Sequence, residues 1–374
     1  MLYELIKDKA KNINEPKKMG SYTQDDCIFL LKNINGLVYE QDNLTREKAI
    51  QSGVHYSAML PSEYSPKQKY VDLFFKTLGE TAKTVAEHTA TVAEKILAKK
   101  GEGVILISLA RAGTPFGVLV KRYLKQKYNI NIPHYSISII RDIGIDENAL
   151  IYILNKHGNN VQFIDGWTGK GVIAKSLKND CTLFHKKYGV AIDSNLSVLS
   201  DPGYCATIFG TRDDYLVPNA CLNSTVSGLM SRTFYRDDII GENDFHGAKY
   251  YTEFENIDAS IKYVDIISSY FNIVKPNAQI LSNDYDIPFS GVQQIEKIMQ
   301  HFGITDENKV KPGVGETTRV LLRRMPWKIL IKSGSERYLK HILFLCEELC
   351  VPLEVYNDMN YSCCGLIKNM QKCE

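Results

Sequence analysis

The stretch Asn160–Ile173, NVQFIDGWTGKGVI, decides the fold. Val161, Phe163 and Ile164 form a short apolar run that stops at Asp165. Gly166, Gly169 and Gly171 then carry the chain through Trp167, Thr168 and Lys170 into a helical pattern from Val172. A strand, an acid at its end, a glycine corner and a helix make up half of a parallel β-α-β unit.

The same order repeats on both sides of it. VILISLA (Val104–Ala110) precedes a helical pattern at Phe116–Tyr128, and HYSISII (His134–Ile140) precedes one at Glu147–His157. Val161–Asp165 leads to Val172–Asn179, and LSVLSD (Leu196–Asp201) supplies a fourth strand. The expected fold class is therefore α/β, a doubly wound, mostly parallel sheet over residues 101–275, with ligands gathering at the carboxyl ends of its strands. Residues 1–100 read as a helical N-terminal segment, a hood. It has a short helix at Asp25–Ile34, a loop at Ser52–Pro66 and a long helix from Lys67 that closes at Gly101.

The run KPNAQILSNDYDIPFSG, crowded with Pro, Asn, Asp and Ser, marks a boundary before Ser290. Beyond it, residues 290–374 read as a small α-β-α domain. Helices are expected at Val292–Phe302, from Gly315 and at Arg337–Cys350, with strands at Trp327–Lys332 and Pro352–Asn357.

Bulk properties narrow the function. A chain of 374 residues with 24% charged residues and a net charge of +2 is a globular protein of more than one domain. No apolar run is long enough to span a bilayer, so no membrane role is expected. The start, MLYELIKDKAKNINEPKK, has no apolar signal core, which predicts a cytoplasmic protein. Nine cysteines (27, 181, 205, 221, 346, 350, 363, 364 and 373) include no Cys-x-x-Cys pair and read as reduced thiols, not as disulfides or a zinc site.

The corner itself suits a phosphate. A helix N-terminus offers free N–H groups and partial positive charge, Lys170 a cation, and Thr168 a hydroxyl. It is not a Walker A loop: two residues separate Gly166 from Gly169 instead of four, and Gly171 stands where a Ser or Thr is required. Nor is it the dinucleotide G-x-G-x-x-G pattern. Any tight strand-to-helix turn also favours Gly and Thr, which is the plainer reading; the added Lys170 favours a phosphate.

The corner resembles the 5-phosphate loop of type I phosphoribosyltransferases, with one acid (Asp165) where that family has two. The resemblance implies Mg2+-bound phosphoribosyl pyrophosphate, with its phosphate on Thr168, Gly169, Lys170 and Gly171. Asp165 would serve the ribose or the metal. It further implies that the turn Arg111–Thr114 receives pyrophosphate through Arg111, Ala112 and Gly113. Arg141, in the loop IIRDIGIDE, stands where that family has a mobile lid; it reaches a phosphate or simply pairs with Asp142 or Asp146.

A longer resemblance covers most of the chain from about Ser21. SGVHYSAMLPSE, HYSISIIR, FIDGWTGKG and VPNACLNSTVSGLMSRT resemble a bacterial tellurite- and stress-operon family. Its members join a phosphoribosyltransferase-like domain to a C-terminal Pelota-type RNA-binding domain, and they also carry the label "cysteine protease StiP family". The expectation drawn from it is an enzyme of the phosphoribosyltransferase type that makes or cleaves a nucleoside-like compound in a stress response. Two alternatives stay open: a cysteine hydrolase using Cys221, and a non-catalytic nucleotide sensor that holds RNA.

The segment Val217–Arg232 is dense in short polar side chains, among them Asn219, Asn223, Ser224, Thr225, Ser227 and Arg232, which suit a substrate pocket or tight turns. Cys221 as a nucleophile needs a histidine base, with His55, His185 and His246 as candidates; a small packed residue is the plainer account. Asp201 is either a further acid at the crevice or a cap for the turn DPGY. His55 and Tyr56 are candidate pocket residues within the hood.

From Lys309 to Lys340 there are nine basic residues against two acidic ones. Gly313 and Gly315 open a helix that carries Arg319 and Arg323 on one face, with Arg324 and Lys328 nearby. With WKILIK this suits folded RNA, and the Pelota resemblance favours RNA over a merely solvated helix face. The acceptor, the RNA and any oligomerisation stay open.

Overall fold

The structure, a computed structural model, describes residues 2–63, 65–215, 219–283 and 286–369, without the side chains of Leu2, Tyr3 and Asn219. Alternation along the strands builds its core. Ile105, Ile107, Leu109, Val161 and Phe163 enter one apolar cluster, while Leu106 and Ile164 enter the other. This period-two split buries both faces of the sheet.

Six strands result: β1 (Ile28–Phe29), β2 (Ile105–Leu109), β3 (His134–Ile137), β4 (Val161–Trp167), β5 (Leu196–Ser200) and β6 (Ile208–Thr211). They lie in the order β1-β3-β2-β4-β5-β6, all parallel. Helices α1 (Gln68–Lys100), α2 (Gly113–Tyr128) and α5 (Ser260–Ser268) cover one face; α3 (Glu147–His157) and α4 (Val172–Tyr188) cover the other. The doubly wound α/β class follows. The chain leaves β2 for one side of the sheet and resumes with β4 on the other. The crevice beyond the carboxyl ends of β2 and β4 is therefore the topological switch point.

The C-terminal domain is a small mixed α/β unit. Helices α6 (Ser290–Phe302), α7 (Val314–Arg323) and α8 (Lys340–Glu348) accompany strands β7 (Val310–Pro312), β8 (Pro326–Ile331), β9 (Leu353–Val355) and β10 (Cys363–Ile367). The sheet order is β7-β10-β8-β9; β10 is antiparallel to both neighbours, and β8 and β9 are parallel.

The chain ahead of residue 101 belongs to the same α/β body. Where a helix was expected at Asp25–Ile34, the structure has β1 at the sheet edge and a second short strand, Lys32–Asn33. Cys27, Phe29 and Leu31 enter one core and Leu30 the other, a two-residue period hidden because every residue of the run is apolar. Strands β6, β7 and β10 also went unpredicted. They are short and carry Gly, Pro or paired Cys in place of a β-branched run.

Candidate functional site

The C-terminal domain sits directly on the switch-point crevice. Asp214, just after β6, fastens it: one carboxylate oxygen accepts from Val314 N at 2.9 Å and the other from Ser362 N at 2.7 Å. Burial pushes this carboxyl up to about 6, against the pull of those N–H groups.

The glycine corner is gripped from both sides. Gly171 adopts the left-handed conformation (φ 85°) that lets α4 begin, and a Cβ there would strike Cys205 Sγ and Phe289. Thr168 donates to Asp201 at 2.5 Å and accepts from Gly203 N, so its hydroxyl ties two strand-end loops together. The Gly169 carbonyl accepts from Tyr361 Oη at 3.2 Å, and Lys170 donates to Glu307 O at 2.7 Å. Trp167 packs on Gly315 and lies 4.9 Å from the Arg319 guanidinium, a cation–π contact. Asp165 is half-buried at the end of the apolar run of β4. Burial lifts its carboxyl to about 6, partly offset by Gly166 N–H and Arg319, while Glu316 adds to the rise.

Arg111 is committed to a buried ion pair. It donates to both Glu63 oxygens at 3.2 and 3.3 Å and to Met230 O. Ala112 precedes α2, and Gly113 lies so close to β4 that a Cβ would fall 2.5 Å from Ile164 O. Arg141 reaches Asn308 of the C-terminal domain and Asp142, and its backbone N–H donates to Tyr56 Oη. Asp201 is fully buried, accepting from Thr168, Cys205 N, Ala206 N and Arg212.

The residues expected to meet RNA part company. Arg323 turns inward to Asn223, and Arg324 pairs with Glu47 at 2.6 Å. Arg319 lies on Trp167 and bonds Glu316. Gly313 (φ 90°) sits beside Asp214. Lys328 instead pairs with Glu354 beside the partly exposed Trp327. Of the Val217–Arg232 segment, Ser227 is buried in a turn on Ser224 O, and Arg232 lies 4.4 Å over the Tyr56 ring. The side chain of Asn219 is outside the described residues.

In this arrangement no described cysteine has a histidine base beside it. Among the described residues no Sγ is hydrogen-bonded to a histidine; His55 bonds Ser57 and His246 bonds Ser138. Cys221 is 2% exposed and burial pushes its thiol to about 12; Cys205 is raised equally. Cys350 is exposed, and Cys373 lies outside the described residues. Nor is there a built metal set: among the described residues no three or more His, Cys, Asp or Glu side chains gather around a cation-sized space. Among the described residues Asp165 feels the acid Glu316 and the cation Arg319, a set that does not suit magnesium on its own.

Residues 20–268 match the family model described as "Tellurite-like stress resistance cysteine protease StiP", and residues 289–369 match that of the PELOTA RNA binding domain. A relative from Acinetobacter baylyi, "Cysteine protease StiP", is 32% identical over 386 aligned residues, covering 98% of each chain.

The chain belongs to the StiP family.

Membership overturns the phosphoribosyltransferase expectation, and with it the phosphoribosyl pyrophosphate substrate: the StiP family model and the StiP relative are both described as cysteine proteases. The corner that suggested a sugar phosphate is, in this StiP-family fold, a docking surface for the PELOTA domain. Its Gly, Thr and Lys are used by Tyr361, Asp201 and Glu307. No helix among the described residues is long and apolar enough to cross a membrane.

Sequence reasoning missed Arg46, Glu47, Glu63 and Tyr361. Glu63 ends the motif SGVHYSAMLPSE, so that motif carried a signal. Arg46 and Glu47 gave none, because on a short polar helix they look like surface residues.

Proposed function

We propose that this chain is a cysteine-dependent peptidase of stress resistance whose C-terminal domain binds RNA. The observation that carries the reading is the end-to-end likeness to a cysteine protease, which leaves neither domain unmatched. The free cysteines among the described residues suit a reducing compartment, the cytoplasm.

Location favours Cys205 over Cys221 as the nucleophile. Cys205 lies in the loop after β5 and faces Gly171 of the loop after β4, at the carboxyl edge where open α/β sheets hold their ligands. Its thiol donates to Gly203 O at 3.0 Å, and Phe289 closes over the adjoining Gly171. Cys221 packs instead by the hydroxyls of Tyr70 and Tyr263. A peptidase needs a thiolate, and a buried thiol is protonated. Withdrawal of Phe289 and Tyr361 from the Thr168–Gly171 loop is the change that opens Cys205 to solvent and substrate.

Cleavage of casein by the full chain in reducing buffer, with and without RNA, tests the reading against Cys205→Ser and Cys221→Ser. Loss in Cys205→Ser alone supports it. No cleavage by the native chain under any condition, or full cleavage by both variants, ends it. For RNA, the exposed Trp327 ring with the half-buried Lys328 beside it supports contact by stacking and charge. Anisotropy with a labelled RNA hairpin at two salt concentrations measures it.

A further inference from the structure

The seam between the two domains is rich in cations and poor in partners. Arg111 is matched by Glu63, and Arg324 by Glu47. Three arginines remain: Arg46 and Arg232 from the first domain and Arg323 from the second. Among the described residues the Arg46 guanidinium, 1% exposed, meets no acceptor, and its Nε is buried unpartnered. Among the described residues Arg232 meets only the Tyr56 ring. Arg323 bonds the Asn223 carbonyl oxygen and leaves its Nε unpartnered.

Hydrogen bonds link these groups: Arg323 to Asn223, Ser224 N to Glu63, Glu63 to Arg111, Arg111 to Met230 O two residues before Arg232, and Arg324 to Glu47 beside Arg46. Arg232 feels Arg46, Arg324 and Arg111; Arg323 feels Arg111, Arg319 and Arg232 against the pull of Glu63; and Arg46 feels Arg324 against Glu47, so two carboxylates face at least five arginines. Two more buried polar atoms there lack partners: Asn223 Nδ2, on the residue that Arg323 touches, and Ser224 Oγ, on the residue whose N–H donates to Glu63. Arg46 is fully buried and Arg232 and Arg323 are half-buried, and like charges clustered out of water with unused donors are costly to fold. Guanidinium forks match the oxygens of phosphate and carboxylate alike, and several converging cations favour the more highly charged phosphate.

We infer that this seam binds a compact, multiply charged phosphoryl anion (a pyrophosphate or a terminal phosphate monoester) held jointly by Arg46, Arg232, Arg323 and the amide of Asn223. Because the ligands come from both domains, the anion also fastens the domains together. The site requires neither peptidase activity nor RNA binding. It is separate from the Thr168–Gly171 corner, whose groups are already taken. The anion has two sources, a free pyrophosphate or the 5′ end of an RNA.

The test is thermal unfolding and calorimetry of the full chain with inorganic pyrophosphate, a 5′-phosphorylated oligoribonucleotide and its 5′-hydroxyl counterpart, with sodium chloride at matched ionic strength as control. Pyrophosphate is expected to raise the Tm by several degrees and to bind saturably. Arg232→Gln, which removes an unpaired cation, should melt no lower than the native chain without ligand and should lose at least tenfold in affinity. Arg323→Gln should show the same loss. Preference for the 5′-phosphorylated RNA over the 5′-hydroxyl form, above pyrophosphate, assigns the RNA source; the reverse order assigns the free anion. No response to either phosphate at millimolar concentration, or an undiminished response in both variants, overturns the inference.

Discussion

The indole of Trp167 rests on the backbone of Gly315, where a Cβ would fall 2.1 Å from the ring. Trp167 ends β4 and Gly315 lies in the first turn of α7, so this contact sets how closely the C-terminal domain approaches the strand ends. Any side chain larger than hydrogen must push the domains apart. Gly315→Ala is expected to cost about 1–3 kcal/mol, the usual range for overpacking a tight contact. Denaturant unfolding measures it, and an unchanged midpoint would show that the domains are not held by this contact.

Glu63 and Arg111 form a pair whose side chains are 2% and 5% exposed. Removing only the acid leaves Arg111 uncompensated beside Arg323, so Glu63→Gln should destabilise by about 3–5 kcal/mol. Glu63→Gln combined with Arg111→Gln should lose less than the sum of the two single changes. Additive losses in that double-mutant cycle would rule out the coupling.

Asp165 gives a pH signature. Burial raises its folded carboxyl to about 6, above an unfolded value of about 4. The folded state therefore holds the extra proton. The stabilisation is fully present below about pH 4 and is lost as pH rises through about 6. Asp165→Asn removes that loss, so its stability advantage over the native chain should widen between pH 4 and pH 7. A constant difference across that range would contradict the shift.

Thiol labelling should follow burial. Among the described cysteines, iodoacetamide on the native chain at neutral pH is expected to modify Cys350 first, because it is exposed, and to leave Cys205 and Cys221 unlabelled until unfolding. Mass spectrometry of the labelled peptides settles the order. Rapid native labelling of Cys205 would mean that the seam opens readily, which favours the peptidase reading directly.

Lys328 should separate RNA contact from docking. Lys328→Ala is expected to weaken RNA binding and to lower the salt slope by about one, with the Tm little changed. Arg319→Ala, which removes the cation from Trp167, should lower the Tm instead.

Local pattern determined most of the architecture by itself. The spacing of apolar runs and glycine corners made β2–β5 and α2–α4 readable, because each element's burial is written into its own period. The Glu147–His157 helix was read to the residue. The long motifs SGVHYSAMLPSE and FIDGWTGKG identified the family, though its chemistry was misread. Only the tertiary structure decided what the motifs serve. Whether Arg319 and Arg323 face solvent or a second domain depends on where α7 docks, which helical spacing cannot state. Whether Thr168 holds a ligand or Asp201 depends on a loop 33 residues away. The physical reason is the same in each case: a polar side chain near a glycine carries no mark of its partner, and partners here are chosen by the closure of two domains over one strand edge.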